Sequence, residues 1–245
     1  EKERVFQSQA KMASMGEMLN NIAHQWRQPL SNISTLASGV LLQKEFNILK
    51  DDELVDSLDK VILSCGYLSN TIEDFRNFFR YDKQAVKIIL DEMIKNDLTI
   101  IKPVLKENNI NLVLNLEDGV IINSYKNELL QAFVNIINNS KDAMLHRKED
   151  HYIFIDLKNY EQKVSISIKD SGGGVEESII ENIFDPYFTT KHQSYGTGIG
   201  LYMTHIILVD HMHGEITLNN VNYEYEGSSY QGLEFIITLP KEIIT

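Results

Sequence analysis

Four pieces of sequence between Val134 and Leu201 decide how this chain is read. They are V-N-I-I-N-N-S-K-D-A-M at 134–144, K-D-S-G-G-G-V at 169–175, I-F-D-P-Y-F-T-T-K at 183–191 and G-T-G-I-G-L at 196–201. A lone glycine-rich run marks little more than a turn; the order and spacing of the four carry the information. Leu129, Leu130, Phe133, Val134, Ile136 and Ile137 recur at helical spacing, which predicts a helix over 127–144. Asn135 and Asn139 lie four apart and share one face of it. Two amide oxygens there suit a hard cation such as Mg2+, which takes oxygen ligands. Val164 to Lys169 alternates apolar and polar residues as a strand does, and it runs into Asp170, Ser171 and three glycines. A carboxylate at a strand end can accept a hydrogen bond from a purine amino group. Glycines such as Gly172 and Gly174 let backbone approach a flat ring. Gly196, Thr197, Gly198 and Gly200 precede a predicted helix from Leu201 to Val209, which offers backbone N–H groups to phosphate. The residues together read as a site for a magnesium–purine nucleotide.

This constellation resembles the ATP-binding domain shared by sensor histidine kinases, Hsp90-type chaperones, MutL repair proteins and type II topoisomerases. The asparagine helix looks like the N box and Asp170 to Gly174 like the G1 box. Phe184 to Lys191 looks like the F box and Gly196 to Leu201 like the G2 box. F-D-P-Y-F-T-T-K followed closely by G-T-G-I-G-L is most similar to the nitrogen-regulation class of histidine kinases. The short segment from His192 to Tyr195, where a lid over ATP would lie, agrees with that class.

Composition bounds the rest. The 245 residues suit one large domain or two small ones, and 43% hydrophobic content is enough for a packed core. A net charge of −12 argues against nonspecific nucleic-acid binding. The single cysteine, Cys65, excludes an intrachain disulfide framework and points to a reducing compartment; its helical position suggests core packing. No apolar run approaches the ~20 residues of a membrane span, and no signal peptide is visible. The chain starts at Glu1 and is expected to be a fragment. It reads as the cytoplasmic part of a sensor, with any membrane contact made by a segment outside it.

Two helices are predicted before the nucleotide site. Over 1–43, Met12, Met15, Leu19, Ile22, Trp26, Pro29, Ile33, Leu36 and Val40 step by threes and fours, as coiled-coil seams do. A second helix over 51–80 repeats the rhythm at Leu54, Leu58, Val61, Cys65, Leu68, Ile72, Phe75 and Phe79. A short connection makes them an antiparallel hairpin. One hairpin leaves part of its stripe wet, so a homodimer with a four-helix bundle is expected.

His24 falls at the outward f position of that heptad. In isolation it would be a solvated surface histidine. The run A-H-Q-W-R-Q-P-L around it resembles the H box of histidine kinases, with Pro29 five residues on. The resemblance makes His24 the phosphoacceptor. Gln25 departs from the Glu or Asp the family usually has next to the histidine, which puts the acid–base helper in question. Gln28 shares the outer face with His24, where the resemblance allows it to position a water for dephosphorylating a partner receiver; a solvated polar residue is the alternative.

The remaining chain reads as follows. Tyr81 to Ala85 is a linker, 86–90 a strand and 91–107 a helix. Strands at 111–116 and 120–123 flank a Glu117-Asp118-Gly119 turn. Strands at 152–157, 164–169, 215–219 and 232–239 follow, with 219–231 as a mobile hairpin loop. Lys191 is placed on phosphate, with a loop lysine as the alternative. Asp142 either reaches the nucleotide through water or caps locally. Phe184 and Phe188 are packing anchors. His205, His211 and His213 do not converge on a metal.

The expected fold class is α+β: a helical hairpin forming a dimeric four-helix bundle over 1–82, then an α/β sandwich ATP-binding domain over 86–245. The resemblance implies a kinase that uses Mg–ATP to phosphorylate His24 and passes the phosphoryl group to the receiver domain of a response regulator. The alternatives are another ATPase of the same fold, which fits the first 80 residues poorly, and a non-enzymatic nucleotide-binding scaffold, which Gln25 alone favours.

Overall fold

Asn47 turns the chain between its first two helices. In the computed structural model, which describes residues 26–27, 29–79, 84–98, 101–145, 151–190 and 198–243, helix α1 covers 29–45 and residues 26–27 are also helical. Asn47 takes a left-handed φ of 56°. The Ile48 N–H reaches back to the Gln43 carbonyl and the Asn47 N–H to that of Lys44. This pair of bonds closes the helix end that would otherwise leave carbonyls unmet. Helix α2, Asp51–Phe79, begins with Asp51, Asp52 and Glu53, where acidic side chains favour a helix N-terminus. Ile33, Leu36 and Val40 of α1 and Leu54, Val61 and Leu68 of α2 are half-buried. Cys65 is exposed, which corrects its expected packing role: among the described residues nothing covers that position. The seam residues Met12 to Ile22, and the side chains of Ile72, Phe75 and Phe79, lie outside the described residues.

The second unit starts at Phe78. Its elements are β1 (Val86–Ile89), α3 (Leu90–Asp97), α4 (Lys102–Glu107), β2 (Ile110–Leu116), β3 (Ile121–Ser124), α5 (Lys126–Met144), β4 (His151–Asn159), β5 (Lys163–Asp170), α6 (Glu177–Ile180), α7 (Gly200–His205), β6 (Glu215–Tyr225) and β7 (Ser228–Pro240). Helix α7 continues without a break as a π-helical stretch over Ile206–His211. The single helix expected over 91–107 is therefore two, with Pro103 in the first turn of α4, where its missing N–H costs nothing. The strands on either side of the Asp118–Gly119 turn do not pair with each other. β3 joins β1 in a two-stranded antiparallel sheet, while β2 runs parallel to β4. The larger sheet has the order β2-β4-β5-β7-β6.

One face of that sheet carries the core. Ile153, Ile155 and Leu157 of β4, Val164, Ile166 and Ile168 of β5, and Phe235, Ile237 and Leu239 of β7 point to it at period two. Helix α5 lays Leu129, Ala132, Phe133, Ile136 and Ile137 on that face, all essentially inaccessible. Truncating Phe133 to alanine there would cost about 3–5 kcal/mol by the usual cavity penalty. The half-buried face of α5, with Asn135, Asn139 and Asp142, is left for chemistry.

The largest departure from expectation is at the C-terminus. The run 219–231, expected as a mobile loop, is a long ordered hairpin. β6 and β7 stay paired from Glu215↔Thr238 to Tyr225↔Ser228, around a tight turn with Glu226 and Gly227 at positive φ. The polar residues hid an alternating Val221, Tyr223, Tyr225 pattern, and the tyrosines supply the apolar area. Tyr225 meets the Tyr152 ring at 5.0 Å and the Phe154 ring at 4.9 Å, edge-on in both cases. Tyr230 meets Tyr152 at 5.4 Å, and Lys169 lies 4.2 Å over the Tyr223 ring. Edge-to-face pairs of this kind add roughly 0.5–1.5 kcal/mol each beyond area burial.

Candidate functional site

Helix α5 ties two glycine segments together. At one point along it, the Asn135 side-chain amide donates to the Gly200 carbonyl at 3.1 Å, joining the helix to the first turn of α7. Eight residues further on, Ala143 packs so closely on Gly172 that a Cβ there would sit 2.8 Å from the alanine methyl. Met144 accepts a hydrogen bond from the Ser171 hydroxyl at 3.3 Å. Eight residues of helix rise roughly 12 Å, a distance on the scale of a nucleoside triphosphate.

Between these contacts lie the other predicted residues. The Asn139 amide donates to the Asn135 carbonyl at 2.9 Å. With both amide nitrogens of the pair occupied as donors to backbone, the side-chain oxygens are oriented by the same contacts. Carbonyl oxygens are the donor type Mg2+ takes, so the pair fits that ion. Asp142 lies 3.3 Å from its neighbour Lys141. Groups of three or more His, Cys, Asp or Glu that could hold a metal do not occur among the described residues.

Asp170 ends β5 and is 2% exposed. Its Oδ1 accepts from the Gly172 N–H at 2.9 Å and from the Leu233 N–H at 3.1 Å. Gly173 and Gly174 follow at φ 85° and 72°, a left-handed pair that residues with a Cβ adopt at a cost. A Cβ on Gly174 would also strike the Asn220 side-chain oxygen at 2.3 Å. Gly198 has φ 65°, and a Cβ there would meet the Tyr187 backbone at 2.4 Å. The Tyr187 N–H in turn donates to the Gly198 carbonyl at 2.9 Å, so the F-box and G2 segments are bound through backbone. Gly200 opens α7, and Leu201 packs partly buried against the core. Phe184 also packs on the core and lies 5.4 Å from the His205 ring, as an anchor should. His24, Gln25, Gln28, Lys191, Gly196 and Thr197 lie outside the described residues.

Two features escaped the sequence reading. Glu128, 5% exposed in the first turn of α5, holds His211 Nδ1 at 2.8 Å. This pins the far end of the α7–π segment to the helix that carries Asn135 and Asn139. The second is the hairpin's grip on the G1 segment. The Val175 N–H donates to Asn220 Oδ1 at 2.9 Å, and Asn220 Nδ2 returns a bond to the Val175 carbonyl at 2.7 Å. The Gly173 N–H donates to the Gln231 carbonyl at 2.8 Å. Period-two tyrosines were the available signal for the hairpin. Nothing in the sequence announced the Glu128–His211 pair, because 83 residues separate its members.

The α/β unit joins an amide-bearing helix to glycine turns, the parts from which a nucleotide site is built. Residues 125–243 match the histidine kinase-, DNA gyrase B- and HSP90-like ATPase family, and residues 14–84 match the His Kinase A phosphoacceptor domain. The chain thus places a segment similar to a histidine kinase phosphoacceptor domain before one similar to a histidine kinase-like ATPase domain.

It is similar to the two-component sensor PprA of Pseudomonas aeruginosa, 26% identical over 94% of this chain and 25% of that protein. It is similar also to the C4-dicarboxylate transport sensor protein DctS of Rhodobacter capsulatus, 27% identical over 94% of this chain and 34% of that one. The chain thus spans about a quarter to a third of the length of these relatives. Among solved structures, the catalytic domain of histidine kinase ThkA is 26% identical, with a TM-score of 0.55 over 65% of this chain and 97% of that one. ThkA in complex with the response regulator protein TrrA shares the fold over 95% of this chain and 64% of that chain, with a TM-score of 0.68 at 22% identity. No helix among the described residues is long and apolar enough to cross a membrane.

Proposed function

We propose that the chain is the kinase core of a two-component sensor of the nitrogen-regulation class, with a phosphoacceptor domain over 1–82 and an ATP-binding domain over 86–245. Neutral His24 attacks the γ-phosphorus of ATP through one imidazole nitrogen. An N–P bond forms, the bond from the γ-phosphorus to the bridging oxygen breaks, ADP leaves, and the imidazole sheds its remaining proton to water. Asp170 accepts the adenine amino group. Gly196, Thr197, Gly198, Gly200 and Lys191 hold the phosphates, and Asp142 reaches the nucleotide through water. Asn135 and Asn139 hold Mg2+, which neutralises phosphate charge during transfer when bound. Such transfer depends on positioning and charge neutralisation far more than on covalent chemistry by the protein.

The phosphoryl group passes from His24 to an aspartate of a response regulator, with Gln28 orienting water for the reverse loss. PprA is named as a two-component sensor, and ThkA, similar in fold, is seen in complex with a response regulator protein. The working unit is a homodimer: Leu58 and Ile62 are 51% and 66% exposed in one copy, and a four-helix bundle would cover them.

The observation that carries this reading is the reach of α5, which contacts Gly200 at Asn135 and Gly172 at Ala143. One helix thereby spans a triphosphate-sized gap between two glycine segments. Incubation of the chain with γ-labelled ATP and Mg2+ tests it. Acid-labile, alkali-stable label on the protein is the expected result. Bound nucleotide without label would make the chain a scaffold instead.

A further inference from the structure

The hairpin does more than cover the sheet. Asp170 is gripped from β6 and β7 by three contacts made far away in sequence. The Tyr223 hydroxyl donates to the Asp170 carbonyl at 3.0 Å, across 53 residues. The Leu233 N–H donates to Asp170 Oδ1, across 63. Gly232 passes the Asp170 backbone so closely that a Cβ on it would overlap the Asp170 carbonyl oxygen, 1.6 Å away. A side chain at 232 would push the hairpin off, and both hydrogen bonds with it.

The geometry points to Tyr223 as a positioning residue for purine selection, acting through Asp170 and resting on the assignment of adenine to that carboxylate. Its ring is fixed independently of the hydroxyl, edge-on to Phe154 at 5.4 Å and stacked on Tyr230 at 5.7 Å. The hydroxyl is therefore aimed rather than free to swing. Burial first, then the Asp170 charge and then Tyr230, push the phenol's pKa well above its ordinary value. The group thus stays a hydrogen-bond donor at any working pH. With the carbonyl held by Tyr223 and Oδ1 by two backbone N–H groups, neither end of the residue can shift without breaking a bond. That rigidity is what separates adenine from guanine. A fixed carboxylate accepts from the adenine amino group but faces the guanine carbonyl oxygen with like polarity. A polar site built for one partner rejects the other strongly only while it cannot move.

Nucleotide binding by the full chain, measured by calorimetry with ATP and with GTP, tests this on Tyr223→Phe, Asp170→Asn and Tyr152→Phe. Tyr223→Phe keeps the ring packing and removes the single donor. It should weaken ATP roughly three- to tenfold, the range of one net hydrogen bond, and narrow the ATP-over-GTP preference by a similar factor. The labelling rate at saturating ATP should hold within about twofold. Tyr152→Phe removes a hydroxyl of the same cluster that bonds Glu226 at 3.4 Å instead, and should keep the wild-type preference. An unchanged preference in Tyr223→Phe, with ATP binding lost in Asp170→Asn, would overturn the positioning role alone. Equal weakening of ATP and GTP together with a lowered melting temperature would reduce Tyr223 to a packing residue and also overturn it. If Asp170→Asn binds ATP as the parent does, the adenine assignment itself falls.

Discussion

The two units treat their apolar residues in opposite ways. In the α/β unit Phe133, Phe235, Ile153 and Ile155 are fully enclosed by the chain's own helices and strands. In the helical unit Leu41, Leu42, Leu58, Ile62 and Leu63 stand more than two-fifths exposed in a single copy. Two helices have only one mutual seam, whereas a five-stranded sheet under a helix layer closes over both. The difference teaches that the α/β unit closes its core within one chain, whereas the described part of the helical unit leaves an apolar stripe open, as the proposed homodimer requires.

That contrast can be broken in stages. The largest effect is expected from His24→Gln: covalent labelling disappears while ATP affinity stays within about twofold, since the substitution lies in the other unit. Persistent label, located by peptide mapping, would move the acceptor elsewhere. Next in size is the pair Leu58→Asp and Ile62→Asp. Each buried leucine or isoleucine is worth about 1.5–3 kcal/mol, so charges at these positions should weaken self-association by at least about 100-fold in sedimentation. The melting of the α/β unit should not move. An unchanged association constant would place the interface on another face.

Asn139→Ala should lower the labelling rate by more than about tenfold, a loss of at least about 1.4 kcal/mol from the transition state, with the dimer intact. A normal rate at saturating Mg–ATP would show that this amide does not face the ion. The smallest effect is expected from Gln25→Glu. A carboxylate near the imidazole makes a charge-assisted hydrogen bond, about twice as strong as a neutral one. Autophosphorylation at pH 8 should rise roughly three- to tenfold. A carboxylate also favours the protonated imidazolium, so the gain should shrink below about pH 6.5. No acceleration at pH 8 would mean that residue 25 is remote from the reactive ring.

The sequence was most legible where local pattern and fold agree. The helix over 127–144 was bounded to within a residue, because its apolar face repeats without interruption and Asn135 and Asn139 fall on the other side. Asp170 and its glycines were legible for the same reason, as a strand pattern ending in a turn. The pairing of strands was not legible. Nothing local in 110–124 says that β2 joins β4 and β3 joins β1, since register depends on partners distant in the chain. The 219–231 hairpin was lost because asparagine and glutamate on its outer face masked the tyrosines on the inner one. The α7 helix was foreseen, but its π-helical continuation was not: that widening is accompanied by the His211–Glu128 contact, which no local rule reports.

The clamp on Asp170 has a consequence for how the molecule is made. Ribosomes deliver the chain N-terminus first, and the 53 residues from Asp170 to Tyr223 take roughly 3–10 s to add at ordinary elongation rates. Throughout that interval the phosphoacceptor helices have already emerged, yet the aspartate lacks the hydroxyl and the backbone donor that hold it. The clamp closes only once β7 has been synthesised. A nascent chain therefore carries both helices of the first unit before it carries a held Asp170.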